Sequence, residues 1–256
     1  MLKRFIIVLL MSFSSLAFAA NSFSQKQTQD IQQIVHDYLL AHPEILIQMS
    51  QTLQAQQQQS QQQQAQNAIT ANSAALFNPN HTTVAGNPKG NVTLVEFFDY
   101  QCVHCANFQK NGIIKTLIAN NPNLRIVYKE FPIFGDASTY ASKAAMAATA
   151  QGKYLEMRNG IFATGKIEGA LRPSDVDAVA KSIGLNMKQY QKDIKDSALS
   201  QSINESYTLA QAIGIQGTPS FIVAPTSNSG DSNGKITFIP GLASQSDLQA
   251  AIEQAR

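Results

Sequence analysis

FFDYQCVHC, Phe97–Cys105, holds both cysteines of the 256-residue chain, separated only by Val103 and His104. A chain that keeps its whole thiol inventory in four residues can use it as a metal clip, a structural staple or a reactive dithiol. Upstream, VTLVEFFDY (Val92–Tyr100) is an apolar, β-rich run interrupted by Glu96 and ended by Asp99, and it reads as a strand. Downstream, Cys102–Ile118 reads as a helix and LRIVYKEF (Leu124–Phe131) as a second strand. Strand, helix and strand form a βαβ unit with parallel strands. The two thiols therefore fall where a strand hands over to a helix.

That placement weighs the three uses. A structural zinc takes four ligands, and this is only half of a two-part cysteine site. The other histidines, His36, His42 and His81, lie in the leader or in the loop before the first strand, which leaves only a site shared between subunits. A staple gains stability with the length of the loop it closes, and this loop is minimal. A dithiol at a helix mouth is different, because free backbone N–H groups and the helix dipole favour a thiolate there. Cys102 is expected in the first turn as the nucleophile, and Cys105, one turn further in, as the buried resolving thiol. His104 would add to the stabilisation of the anion. A good thiolate is also a good leaving group, so the disulfide form would be oxidising.

The segment from about 137 to 213 is helical, alanine-rich at first, and divided by turn signals near Gly169 and Gly184. SFIVA (Ser220–Ala224) and KITFIP (Lys235–Pro240) flank a loop of Ser, Asn, Asp and Gly, the pattern of an antiparallel hairpin. Ser244–Gln254 closes as a helix with Ser244 and Asp247 at capping-box spacing. The order is β-α-β, helical insert, β-β-α.

The N-terminus reads as a secretory signal over residues 1–19. Lys3 and Arg4 precede a short apolar run, and Ala17-Phe18-Ala19 supplies the small residues of a cleavage site. Its removal takes two of 19 basic residues and none of the 17 acidic ones, so the mature chain is near neutral. No basic patch for nucleic acid follows from that balance. Export would expose the cysteines to an oxidising compartment.

Residues 20–72 form a leader. Ile31, Ile34, Val35, Tyr38 and Leu39 share one helix face, Pro43 starts a second helix, and Ile45, Leu46, Met49 and Leu53 continue the stripe. The following tract, Gln54–Gln66, has no apolar face and serves as a spacer, either helical or disordered. The stripe is too short to bury itself, so self-association is expected, with a dimer favoured over a trimer.

The signal, FFDYQCVHC on a strand-to-helix turn, the helical insert and GTPSF (Gly217–Phe221) together resemble the DsbA-like thioredoxin-fold oxidoreductases over residues 82–256. The leader resembles the N-terminal helical extension of Com1-like and ScsC-like members. This resemblance implies an α/β thioredoxin fold with an inserted helical subdomain, preceded by a helical oligomerisation segment. It implies that Cys102 and Cys105 are the redox pair. Thr218-Pro219 would form the cis-proline loop that, with Val103, binds substrate chain, and Glu96 the buried acid that moves protons to and from the thiols. Lys129 and Glu130, by contrast, read as solvated charges at a strand end. Many relatives carry proline where this chain has Val103, and Thr218 is the residue type found before the cis-proline of disulfide isomerases. The expected protein is a periplasmic, possibly envelope-associated thiol-disulfide oxidoreductase without cofactor or metal, with isomerase activity favoured. Its expected partners are exported proteins with cysteines, a membrane redox protein and a second copy of itself. A dedicated oxidase and a non-enzymatic chaperone or scaffold are the alternatives.

Overall fold

The computed structural model describes residues 23–226 and 235–256. The expected signal peptide and the tip of the last hairpin lie outside them. The chain divides into two units between Gln56 and Gln57.

The first unit contains helix α1 (Gln25–Ala41) and the start of α2 (Glu44–Ala71). Ser24 caps α1 by accepting from the Gln27 N–H while its own N–H donates to Gln27 Oε1, satisfying two otherwise orphaned donors. Pro43 separates the helices, because proline lacks the N–H that would continue α1. The glutamine tract is helical and belongs to α2. Ile34, Val35, Tyr38, Leu46, Met49 and Leu53 are all at least 50% exposed and Leu39 and Ile45 are half-buried, so most of the apolar stripe has no cover among the described residues of this unit.

The second unit comprises the end of α2, α3 (Ser73–Phe77), β1 (Val84–Gly86), β2 (Val92–Phe98), α4 (Val103–Lys110), α5 (Ile113–Asn120) and β3 (Leu124–Glu130). The insert supplies α6 (Asp136–Ala148), α7 (Tyr154–Ala163), α8 (Pro173–Ser182), α9 (Met187–Asp193) and α10 (Ser197–Ile213). The chain then closes with β4 (Ser220–Pro225), β5 (Thr237–Pro240) and α11 (Gln245–Gln254). The strands form one sheet in the order β1-β3-β2-β4-β5. β2 and β3 are parallel, and the other neighbouring pairs are antiparallel.

Side chains alternate across a strand, so this sheet has two buried faces. Leu94 and Phe98 of β2 with Ile126 and Tyr128 of β3 meet α4, α5 and the insert on one face. Val95, Phe97 and Val127 meet Ala65 and Ile69 of α2, Leu76 and Phe77 of α3, and Leu209 and Ile213 of α10 on the other. The end of the long helix is thus core of the second unit.

Three expectations change. The single helix over Cys102–Ile118 is two helices, broken at Asn111-Gly112, where Gly112 adopts φ +64°, a conformation natural to glycine. Lys129 is buried, not solvated: its Nζ donates to the carbonyl oxygens of Ala75 (2.8 Å) and Asn78 (2.6 Å), satisfying acceptors left open at the end of α3. Burial pushes its pKa down to about 8. Glu130 is buried as well, on the opposite face, because strand alternation turns successive residues to opposite sides.

Candidate functional site

Cys102 is the N-cap of α4, with extended φ −72° and ψ 119°, so it precedes the first turn instead of lying within it. Its carbonyl accepts the first helical hydrogen bond, from Ala106 N–H at 3.0 Å. This leaves the sulfur facing the open N–H groups of the helix. The Cys102 pKa is lowered to about 5. The leading cause is a hydrogen bond from the Cys105 thiol, which outweighs burial; the Thr218 side chain and the backbone N–H groups of Cys105 and His104 reinforce it. Cys105 is fully buried, and burial together with the neighbouring Cys102 charge drives its thiol far upward. The two sulfurs therefore differ sharply in their readiness to ionise.

The Thr218–Pro219 peptide bond is cis. As a thiol, Cys102 reaches the Thr218 carbonyl oxygen at 3.2 Å. Pairing of Phe97 with Ser220 in the β2–β4 ladder brings that loop beside the end of β2. Val103 is half-buried, and the side chain of His104 is exposed, so the part of His104 that acts on Cys102 is its backbone. Among the described residues, no three His, Cys, Asp or Glu side chains cluster as a metal site.

The turn before Cys102 is tied down from several sides. Asp99 accepts from Gln101 N–H (2.6 Å), Ser138 Oγ (2.7 Å) and Phe134 N–H (2.9 Å). Gln101 Nε2 donates to Ser138 Oγ at 2.9 Å, and its Oε1 accepts from Gly169 N–H at 2.9 Å. The dithiol turn is thereby fastened both to the loop after β3 and to the insert.

Glu96 is fully buried in the middle of β2. Burial raises its pKa, and Arg158 of α7 opposes the rise through an ion pair of 2.9 Å. Nearby, Glu130 Oε1 accepts from Tyr154 Oη at 2.8 Å and Tyr100 Oη at 3.0 Å, and burial pushes its pKa up to about 8. Arg158, Tyr100, Tyr154 and Gln101 were not singled out from sequence. The one available hint was that Arg158 shares a helix face with Tyr154, Ile161 and Phe162, and nothing local says which acid it meets.

The family model for thioredoxin matches residues 78–235. The chain belongs to the thioredoxin family. A second model, the copper resistance protein ScsC N-terminal domain, matches residues 27–60. A thioredoxin-like oxidoreductase from Silicibacter pomeroyi DSS-3 is 37% identical, with TM-score 0.61, covering 71% of this chain and 95% of that one. BcfH from Salmonella enterica Typhimurium is 32% identical, with TM-score 0.77, covering 90% of this chain and 96% of that one. The chain also matches Na(+)/H(+) antiporter NhaA 1 of Salinispora arenicola at 30% identity over 149 residues. That match takes in 57% of this chain and 22% of the antiporter, so this thioredoxin-family chain spans about a fifth of the length of the first curated relatives it matches.

Proposed function

We propose that the protein is an exported thiol-disulfide oxidoreductase that forms and reshuffles disulfides in other exported proteins, with reshuffling as its main task. The observation that carries this reading is the split between the two thiols: Cys102 held near pKa 5 at the helix mouth, and Cys105 buried beneath it and held protonated. Cys102 attacks a substrate disulfide, or is attacked when oxidised, and Cys105 resolves the mixed disulfide. Thr218 and Pro219, with Val103 opposite, hold an extended substrate chain across the sulfur. The His104 backbone N–H stabilises the Cys102 thiolate, and Glu96 takes and returns the proton of Cys105. The signal-like N-terminus supports a periplasmic location.

Self-association through α1 and the start of α2 fits the uncovered apolar stripe and favours an isomerase. Two or more sites facing a shared space hold a misfolded substrate while its disulfides are exchanged, and a dimer is the expected form. Replacing Cys102 with Ala abolishes reactivation of scrambled ribonuclease and leaves the fold intact on this reading. A variant that reactivates the substrate at the wild-type rate overturns it.

The low pKa of Cys102 favours a second reading, a dedicated oxidase, because it makes the disulfide form eager to be reduced. The thiol state in the native compartment separates the two. A largely reduced protein supports the isomerase, and a largely oxidised one the oxidase. A pure chaperone would keep suppressing aggregation after both cysteines became serine.

A further inference from the structure

The proposed exchange leaves one buried group unexplained. Arg158 is 1% exposed and lies between the sheet and the insert. Its Nη2 donates to Glu96 Oε2 at 2.9 Å and its Nη1 to Gln109 Oε1 at 2.5 Å. Gln109 is on α4, the helix that the dithiol opens. The guanidinium carbon sits 4.5, 4.3 and 5.0 Å from the ring centroids of Phe98, Tyr128 and Phe162. Arginine suits such a site, since its planar fork can stack on rings while donating in its own plane. The cation therefore touches β2, β3 and α4 from its place on α7.

The other carboxylate oxygen, Glu96 Oε1, is buried and has no hydrogen-bond partner among the described residues. An acceptor in that condition is costly unless it is used. The Glu96 charge is felt at Cys105, where it disfavours a second anion. Other ionisable groups around the carboxylate are Tyr100 on the β2–α4 turn, Tyr128 and Glu130 on β3, and Tyr154 on α7. Glu130 is bonded to the Tyr100 and Tyr154 phenols and carries no ion pair among the described residues. Arg158 is thus the cation that meets this acid directly.

We propose that Arg158 is a positioning residue for the resolving half of the exchange: it fixes Glu96 by one oxygen, keeps it a carboxylate, and leaves Oε1 free to take the proton of Cys105. The inference rests on the exchange reading above. The Cys105 S–H bond breaks as Glu96 becomes protonated. The Cys105 thiolate attacks Cys102 Sγ, closing the internal disulfide, and the substrate sulfur leaves with the electron pair of the broken mixed disulfide. It then takes a proton from Glu96 or solvent. Two protein thiols are oxidised and one external disulfide is reduced.

An aromatic disulfide whose released thiolate is coloured separates the two halves. Reduced full-length protein releases a first equivalent when Cys102 attacks and a second when Cys105 resolves. In Arg158→Met the ratio of the second rate constant to the first falls about tenfold at neutral pH, less than the roughly 10²–10⁴-fold of a lost proton acceptor because Glu96 itself remains. The pH at which the second step reaches half its maximum also rises, and Arg158→Lys restores part of both. If Arg158→Met does not fold, the same substitution is made in Glu96→Gln, where no buried charge is left unpaired. The double variant then resolves at the rate of Glu96→Gln alone, since the arginine acts only through the acid. A wild-type pH profile in folded Arg158→Met, or a further slowing in the double variant, overturns the proposal. If wild-type protein gives no separate second release, the exchange reading itself fails, and that result is distinguishable from the other two.

Discussion

Cys102 Sγ and the carbonyl oxygen of Thr218 lie 3.2 Å apart, although 116 residues separate them along the chain. The contact joins the mouth of α4 to the loop that opens β4. It brings the more acidic sulfur against the backbone edge to which an extended chain would add.

The Thr218 hydroxyl is buried and makes no hydrogen bond among the described residues, which leaves it available to the neighbouring Cys102 anion, whose pKa it lowers. Thr218→Val keeps the branched shape and removes the hydroxyl. The expected outcome is a several-fold slower alkylation of Cys102 at pH 5–6, with rates converging above pH 9 where the thiol is ionised in both proteins. An unchanged profile below pH 6 would remove the hydroxyl from the account.

Glu130 gives the fold a pH dependence of its own. Its pKa rises from 4.5 in its ordinary state to about 8 in the folded protein, chiefly through burial. Between those values the folded state binds more proton than the unfolded one, so this group makes stability fall as pH rises through about 4.5 to 8. Glu130→Gln keeps an acceptor for the Tyr100 and Tyr154 phenols but cannot ionise. Denaturant titrations are expected to show a flatter pH dependence and a gain of about 1–3 kcal/mol at pH 8. A variant whose stability still falls as steeply with pH would assign the slope elsewhere.

The position of the unit boundary sets how the leader can be removed. A mature chain starting at Gln57 retains Ala65 and Ile69 in the second core and is expected to stay folded, elute as a monomer and lose most isomerase activity. Ile69 is 0% exposed, so Ile69→Ala in that truncated chain is expected to cost about 2–5 kcal/mol by denaturant unfolding. An oligomeric truncated protein would move the self-association site out of the leader.

The dithiol and the strand before it were legible because they form a local pattern, a cysteine pair at a strand-to-helix transition, whereas the Thr218-Pro219 loop came only with the family resemblance, since a proline before an apolar strand does not by itself announce a cis bond. Pro43 between two helices was legible for the same reason. The acid–arginine arrangement was not. Glu96 and Arg158 are 62 residues apart, and Glu130 and Tyr154 are 24 apart on different elements. Whether a charged residue in or beside an apolar run is buried depends on what covers it, and for Lys129 and Glu130 the covers are α3 on one face and the insert on the other. The strand β1, with three residues, and the helix α3, with five, are too short for periodicity to announce them.

The central claim is that one sulfur at the opening of α4 is an anion at neutral pH while its neighbour is not. The most direct measurement is the rate of iodoacetamide alkylation of the reduced protein against pH, with each modified cysteine located by mass. The account predicts that Cys102 alone reacts across the neutral range, with a midpoint near pH 5. A midpoint near that of an ordinary thiol, about 8.5, or equal labelling of Cys105, would contradict it.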